Sequence, residues 1–427
     1  MDMRHLTVLL MGIYVFSLTQ GSGYKRVCYY TNWSQYRTDD SIKFFPANIN
    51  ASLCTHIIYA FANISAGGLK PDQWNDVLAK PNIGMYAKVN NLKVNNPDLK
   101  VLLAVGGWEM GTAPFIAVST TREKRQNFIS GTVQFLRQHD FDGLDYDWEF
   151  PDADSKSNFT ALLKETNEKF ETEAAATGKK KLILSAAVAT GKWALEQGGY
   201  EVEEVSRSVD FINLMTYDFH ELGPAQEKRL VPNAALFSGD GENDAMAPQN
   251  VDYAVKMWIE KGAQPNKLVL GLGAYGRNFK TLNGNTTPGA QALDNGPAGK
   301  YINESGMYPY FEICENLKDP SWEEQWDDKR KVPYAFNRQE NLWVGYDNPT
   351  SIKEKVDYAV SKNLAGIMIW SLDMDDFKNK CGKGSYPLLR VANERLAVYE
   401  NSATTAMNPT TTLVLCCGLL FTILLRA

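Results

Sequence analysis

The sequence predicts an α/β protein: a (β/α)8 TIM barrel with a small α+β subdomain inserted between its seventh and eighth strands. Three observations carry this expectation. Eight short β-rich runs recur along the chain with helix-like stretches between them. Most of these runs are almost continuously apolar, as parallel strands covered on both faces must be. The 427-residue chain also exceeds the roughly 250 residues that such a barrel needs, with the largest surplus in one place.

In chain order the strands are expected at Arg26–Thr31, His56–Ala62, Lys100–Gly106, Gly143–Trp148, Leu182–Val188, Phe211–Tyr217, Leu268–Gly273 and Gly366–Leu372. The segments Thr121–His139, Lys156–Ala176, Val251–Lys261 and Ser351–Lys362 read as helices between them. Tyr275–Tyr346 is too long for a simple strand-to-helix return and is the expected insertion.

The two ends read as processing signals. Met1–Gly23 places Arg4 ahead of the apolar run Leu6–Leu18 and small residues at Gly21, Ser22 and Gly23, the pattern of a secretory signal peptide leaving Tyr24 first. The barrel is expected over 24–396 and a short stalk over 397–402. Beyond it, the small triplet Asn401-Ser402-Ala403, a polar spacer and the apolar Leu413–Leu425 form the three parts of a GPI-attachment signal. The tail is too short to span a bilayer. Attachment is expected at Ser402 or Asn401, with 403–427 removed and the protein held on the outer leaflet of the plasma membrane.

Composition narrows the chemistry. Lys plus Arg is 44 and Asp plus Glu is 50, a net charge of 44 − 50 = −6, with no basic run to bind nucleic acid. The four histidines, His5, His56, His139 and His220, leave almost nothing for a zinc site or a hydrolase triad. Cys28, Cys54, Cys314 and Cys381 form an even set in a secreted chain, so two disulfides are expected, with three connectivities open. Six glycosylation sequons begin at Asn32, Asn50, Asn63, Asn158, Asn285 and Asn303.

Acid chemistry therefore falls to carboxylates. In the fourth strand, Asp145, Asp147 and Glu149 are spaced by two, which puts all three on one strand face at the barrel mouth. Carboxylates so crowded raise one another's pKa, and one can stay protonated near neutrality. A calcium loop also spaces acids by two, but it needs a flexible turn where this chain has the bulky Tyr146 and Trp148.

The run Phe141–Pro151 (FDGLDYDWEFP) resembles the DxxDxDxE signature of glycoside hydrolase family 18, the chitinases and chitinase-like lectins. Other segments are similar to the animal secreted members: CYYTNW at Cys28–Trp33, THIIYAF at Thr55–Phe61, LLAVGGW at Leu102–Trp108 and SAAV at Ser185–Val188. NLMTYDFH at Asn213–His220, LGAYGRNF at Leu272–Phe279 and MIWSLDMDDF at Met368–Phe377 continue the match in order. The resemblance implies disulfides Cys28–Cys54 and Cys314–Cys381, a monomer, and chitin or a chito-oligosaccharide as partner, with neither metal nor organic cofactor.

It also implies a retaining, substrate-assisted hydrolysis. Glu149 would protonate the glycosidic oxygen, and the sugar's own 2-acetamido carbonyl would attack C1. Asp147 would accept the acetamido N–H, Asp145 would share a proton with Asp147, and Tyr217 would donate to the acetamido oxygen. The groove implied by the resemblance has Trp370 as its floor, extended by Tyr29, Trp33, Phe61, Gln73, Trp74, Gly106, Gly107, Trp108, Glu109 and Phe150. Met215, Thr216, Asp218, Tyr275 and Arg277 would line its walls. The chain departs from the pattern at several points. Glu109 stands for the usual Asn, Phe150 for Tyr, Gln73 for Glu, Gly273-Ala274 for Pro-Thr, and Glu221-Leu222-Gly223 for a stretch that normally holds an aromatic.

Overall fold

The computed structural model describes residues 23–196, 198–219, 228–239, 242 and 247–406. Residues 1–22 of the expected signal peptide, His220 to residue 223 and the apolar tail from 407 lie outside the described residues.

Eight parallel strands close a barrel: β1 (Lys25–Thr31), β2 (His56–Ser65), β4 (Lys100–Gly106), β5 (Gly143–Asp147), β6 (Ile183–Val188), β7 (Phe211–Leu214), β8 (Leu268–Gly273) and β15 (Gly366–Trp370). Closure comes from β1, which pairs with β15 on one side and β2 on the other. β3 (Gly68–Pro71) folds back antiparallel on β2. The apolar runs are continuous because most residues of these strands are buried, inward in the barrel or outward beneath helices.

The helices are α1 (Met85–Asn90), α2 (Ala113–Ser119), α3 (Arg122–Gln138), α4 (Lys156–Thr177), α5 (Lys192–Glu196), α6 (Val202–Ser208), α7 (Val251–Glu260), α8 (Tyr310–Asn316), α9 (Pro349–Ser361) and α10 (Pro387–Ala406). Their starts follow local chemistry. Asn250 Oδ1 accepts from Tyr253 N at 2.9 Å at the head of α7, and Asn348 takes the N–H groups of Thr350 and Ser351 ahead of α9.

The insertion begins where the sequence placed it. Ala274 N–H donates to Trp370 O (2.8 Å), and the chain leaves β8 directly into β9 (Tyr275–Thr281). There follow β10 (Ala292–Asn295), β11 (Met307–Pro309), β12 (Trp322–Asp327), β13 (Val332–Asn337) and β14 (Leu342–Gly345). Their antiparallel order is β10-β9-β14-β13-β12, with β11 also on β9. The return into α9 is held by Lys355 and Asp347, a fully buried pair at 2.5 Å that Ser351 Oγ supports at 2.7 Å.

Both implied disulfides are present, Cys28–Cys54 and Cys314–Cys381. Asp376 beside the second one accepts the Cys381 N–H at 2.7 Å. Residues 397–402, expected as a stalk, instead continue α10. Tyr399 Oη donates to Asp357 (2.8 Å), and Glu400 takes Arg26 Nη2 (2.7 Å) and Tyr24 N (2.8 Å), so packing carries the helix on.

The sequons differ in access. Asn50, Asn285 and Asn303 are exposed, but Asn32 is fully buried, donating to Asp76 and accepting from Gln35 (both 2.6 Å). Protein recovered from a eukaryotic secretory host should carry no glycan on Asn32, as checked by glycopeptide mass spectrometry. A substantially occupied Asn32 would contradict this packing.

Candidate active site

Two glycines set the site's geometry. Gly106 (φ +123°) and Gly107 (φ +86°) end β4 in a conformation that side chains oppose. A Cβ on Gly106 would lie 1.9 Å from the Asp147 carbonyl oxygen, and one on Gly107 would lie 2.5 Å from the Phe61 ring. Gly107 N–H donates to that same Asp147 oxygen at 2.8 Å. Both residues, expected as sugar contacts, let β4 close against the acid-bearing strand.

β5 carries the acids from the barrel interior to its mouth. Asp145 is fully buried and takes three donors: Ser185 Oγ at 2.5 Å, Tyr29 Oη at 2.7 Å and Asn213 Nδ2 at 3.3 Å. Burial pushes its carboxyl up to about 6, against the pull of those donors. Asp147, also buried, has an oxygen, Oδ1, with no hydrogen-bond partner among the described residues. Burial first, then the neighbouring charges of Glu149 and Asp145, hold its carboxyl well above the usual range. The raised carboxyls of Asp145 and Asp147 stand two residues apart on β5.

Glu149 follows the strand end and is half-buried at the mouth. Burial and then the charge of Asp218 push it up to about 7, with the Trp108 N–H opposing. Tyr217 is nearly buried, and its hydroxyl meets only Met368 Sδ, at 3.9 Å, among the described residues. Asp218 is fixed by Tyr275 Oη at 2.5 Å and Arg277 Nε at 2.7 Å.

The aromatic residues divide into a floor and a rim. Trp33 just past β1, Phe61 within β2 and Trp370 at the end of β15 cluster together: Phe61 stacks on Trp33 at 5.7 Å and on Trp370 at 6.1 Å. Asp373 ties the segments of Trp33 and Trp370 together, taking Thr31 Oγ1 (2.8 Å), Ser371 Oγ (2.5 Å) and Arg37 Nη2 (2.5 Å). Trp74 and Trp108 stand out as large exposed rings, 75% and 64% accessible. Glu109 is exposed beside Trp108, and Gln73 is half-buried with its amide on Asp72 (2.6 Å). Phe150 and Met215 are half-buried against the core.

Several expected groove residues sit elsewhere. Tyr29 lies wholly inside the barrel and serves Asp145. Thr216 is fully buried with its hydroxyl on Gly271 O at 2.7 Å, so its side chain cannot reach a groove. Tyr275 is likewise buried behind Asp218. The sequence reading assigned no role to Ser185 or Asn213. Their signal was available: each is a polar residue in an otherwise apolar strand. Glu304, from the insertion, was also missed; it lies 3.9 Å from Arg277 Nη1, and burial raises its carboxyl.

The glycosyl hydrolases family 18 model matches residues 25–375, spanning the barrel and its insertion. The chain belongs to glycoside hydrolase family 18. This family 18 chain is 44% identical over 385 residues to mouse chitotriosidase-1, covering 88% of this chain and 79% of the relative. The crystal structure of an immunomodulatory active chitinase from Trichuris suis superposes with a TM-score of 0.82 at 36% identity, over 87% of this chain and all of that one. Human YKL-39, described as a pseudo-chitinase with retained chitooligosaccharide binding, also reaches 0.82 at 38% identity, over 88% of this chain and all of that one. The family 18 relatives thus include both hydrolases and binding proteins.

The raised carboxyls have a stability consequence. Asp145 and Glu149 titrate near 6 and 7 in the fold, against 3.8 and 4.5 for free carboxyls, so the folded state binds more protons between those values. Their contribution to stability is fullest at acid pH and is lost as pH rises through this window. Glu149→Gln should therefore raise the melting temperature by a few degrees at pH 8 and give little gain at pH 4.5, measured by calorimetry.

Proposed function

We propose that the chain is an endo-acting chitinase that hydrolyses β-1,4-linked N-acetylglucosamine polymers with retention, using the substrate's acetamido group as nucleophile. The observation that carries this reading is the intact acid series. A half-buried Glu149 poised near neutrality stands beside a buried Asp147 whose Oδ1 has no protein partner.

In this reading Glu149 gives its proton to the glycosidic oxygen while the acetamido carbonyl attacks C1. Asp147 Oδ1 accepts the acetamido N–H and orients that carbonyl. Tyr217, whose hydroxyl meets no protein oxygen among the described residues, donates to the carbonyl oxygen as charge shifts through the ring that forms. Glu149, now a carboxylate, takes a proton from the incoming water. Asp145, held by Tyr29, Ser185 and Asn213, lies beneath Asp147 and shares a proton with it. Pyranose C–H faces would lie on Trp370 and its neighbours, with the exposed tryptophans extending the platform.

Glu149→Gln should lower turnover of a fluorogenic chitobioside by at least about 10²–10⁴ while oligosaccharide binding persists. Because the acid must carry its proton, kcat/KM of the unsubstituted enzyme should hold below pH 7 and fall about tenfold per unit above it. Near-unsubstituted turnover in Glu149→Gln would remove Glu149 from the acid role. Binding without turnover in the unsubstituted protein would favour a lectin-like protein, the reading that YKL-39 represents.

The outer-leaflet placement rests on the tail sequence. Phosphatidylinositol-specific phospholipase C should release the protein from expressing cells, and the mature chain should lack residues 403–427 by mass spectrometry. Retention on the cell after the lipase, with an intact tail, would refute GPI attachment.

A further inference from the structure

Between the floor of the groove and its outlying rim lies a buried polar knot centred on Asp76. Asp76 Oδ1 accepts from Asn32 Nδ2 at 2.6 Å and from Tyr59 Oη, and Oδ2 accepts the backbone N–H groups of Asp72 (3.0 Å) and Gln73 (2.8 Å). The knot extends to Gln35. Its amide nitrogen donates to Asn32 O (2.8 Å) and Asn32 Oδ1 (2.6 Å), and its oxygen accepts Asn75 Nδ2 at 2.6 Å. Asp76, Asn32, Gln35 and Asn75 are all buried.

The sequence positions of these bonds matter more than their number. Asn32 immediately precedes Trp33. Gln73 and Asn75 flank Trp74, so the backbone on one side and a side chain on the other are both bonded into the knot. One carboxylate thus joins the end of β1, the body of β2 and the loop between β3 and α1. Trp33 belongs to the ring cluster around Trp370, whereas Trp74 makes no ring contact among the described residues. Trp74 has the Tyr36 hydroxyl as a hydrogen-bond partner but lies outside that ring cluster, so the course of its loop sets where its indole stands.

We propose that Asp76 is a positioning residue that sets the spacing of Trp33 and Trp74, and so the length of sugar chain the groove can grip. It touches no substrate itself. The proposal rests on the groove being a chito-oligosaccharide site, as argued above. Its four donors explain why the residue must be an acceptor on both oxygens: asparagine at this place would turn an N–H group toward N–H or O–H donors on one side. A buried carboxylate with no such donors would be strongly disfavoured, so the knot and the loop form together.

The test separates positioning from folding by substrate length. Asp76→Asn should raise KM for the chitin hexasaccharide about tenfold, since a misaligned ring loses most of a stacking contact. KM and kcat for the short fluorogenic chitobioside should change less than about twofold. In the Asp76→Asn background, Trp74→Ala should add little further loss for the hexasaccharide, whereas alone it should cost nearly as much. Equal losses on both substrates, or fully additive losses for the two substitutions, would overturn the proposal. If Asp76→Asn does not fold, Asn32→Ala removes one donor and leaves the others, and the same length-dependent pattern is expected at smaller amplitude. A protein without turnover would refute the chitinase reading instead, and the same contrast would then be measured as dissociation constants for the hexasaccharide and chitobiose.

Discussion

The structure depends on placing three carboxylates within five residues, two on β5 inside an apolar barrel and one just past its end at the mouth. A buried carboxylate is tolerable only when donors surround it or when it keeps its proton, and β5 uses both solutions. Asp145 is surrounded: Tyr29 comes from β1, Ser185 from β6 and Asn213 from β7. Those bonds cross the barrel interior and make its lumen a polar junction instead of a uniformly apolar core. Asp147 takes the other solution, with burial and its neighbours favouring the neutral form. What would be a defect in a structural core becomes a reserve of acceptor capacity at the place where a substrate amide could enter.

The surrounding architecture serves that arrangement. Gly106 and Gly107 bring β4 close enough to satisfy the backbone of Asp147, and their lack of side chains leaves room for Phe61. Asp373 then fixes the segments that carry Trp33 and Trp370, so the aromatic floor is set by buried hydrogen bonds as well as by ring contacts. Asp218, gripped by Tyr275 and Arg277, transmits the position of the insertion to the mouth, because both partners lie on β9. The subdomain is thus wired to the site through one carboxylate as well as packed beside it.

Much of this was legible in the sequence because burial on both faces leaves a strong signature. All eight barrel strands, the four helices singled out and the limits of the insertion follow from apolar runs and helical spacing. The acid series was equally plain, since its period of two survives in the fold. The roles of individual groove residues were less legible. Tyr29, Thr216 and Tyr275 stand in motifs that line a groove, yet strand alternation and hydroxyl pairing turn them inward, and only three-dimensional partners decide that. Ser185, Asn213 and Asp76 were overlooked for the converse reason: their importance lies in contacts between segments distant in sequence. Residues 397–402 read as a polar stalk because their helix is stabilised by Arg26, Tyr24 and Asp357, not by an apolar stripe of its own.

The course of α10 has a practical corollary. Asp375, just past the end of β15, accepts the N–H groups of Leu388 and Leu389 at the head of this helix, while Glu400 near its other end meets Tyr24 and Arg26 at the start of β1. The helix therefore runs from the rim at the C-terminal ends of the barrel strands to the end where those strands begin. A linker fused after Ser402 leaves from the face opposite the aromatic groove. On a bead or a sensor surface, C-terminal coupling would turn the groove toward bulk solution, where a polymer too large to slip between protein and support can still reach it.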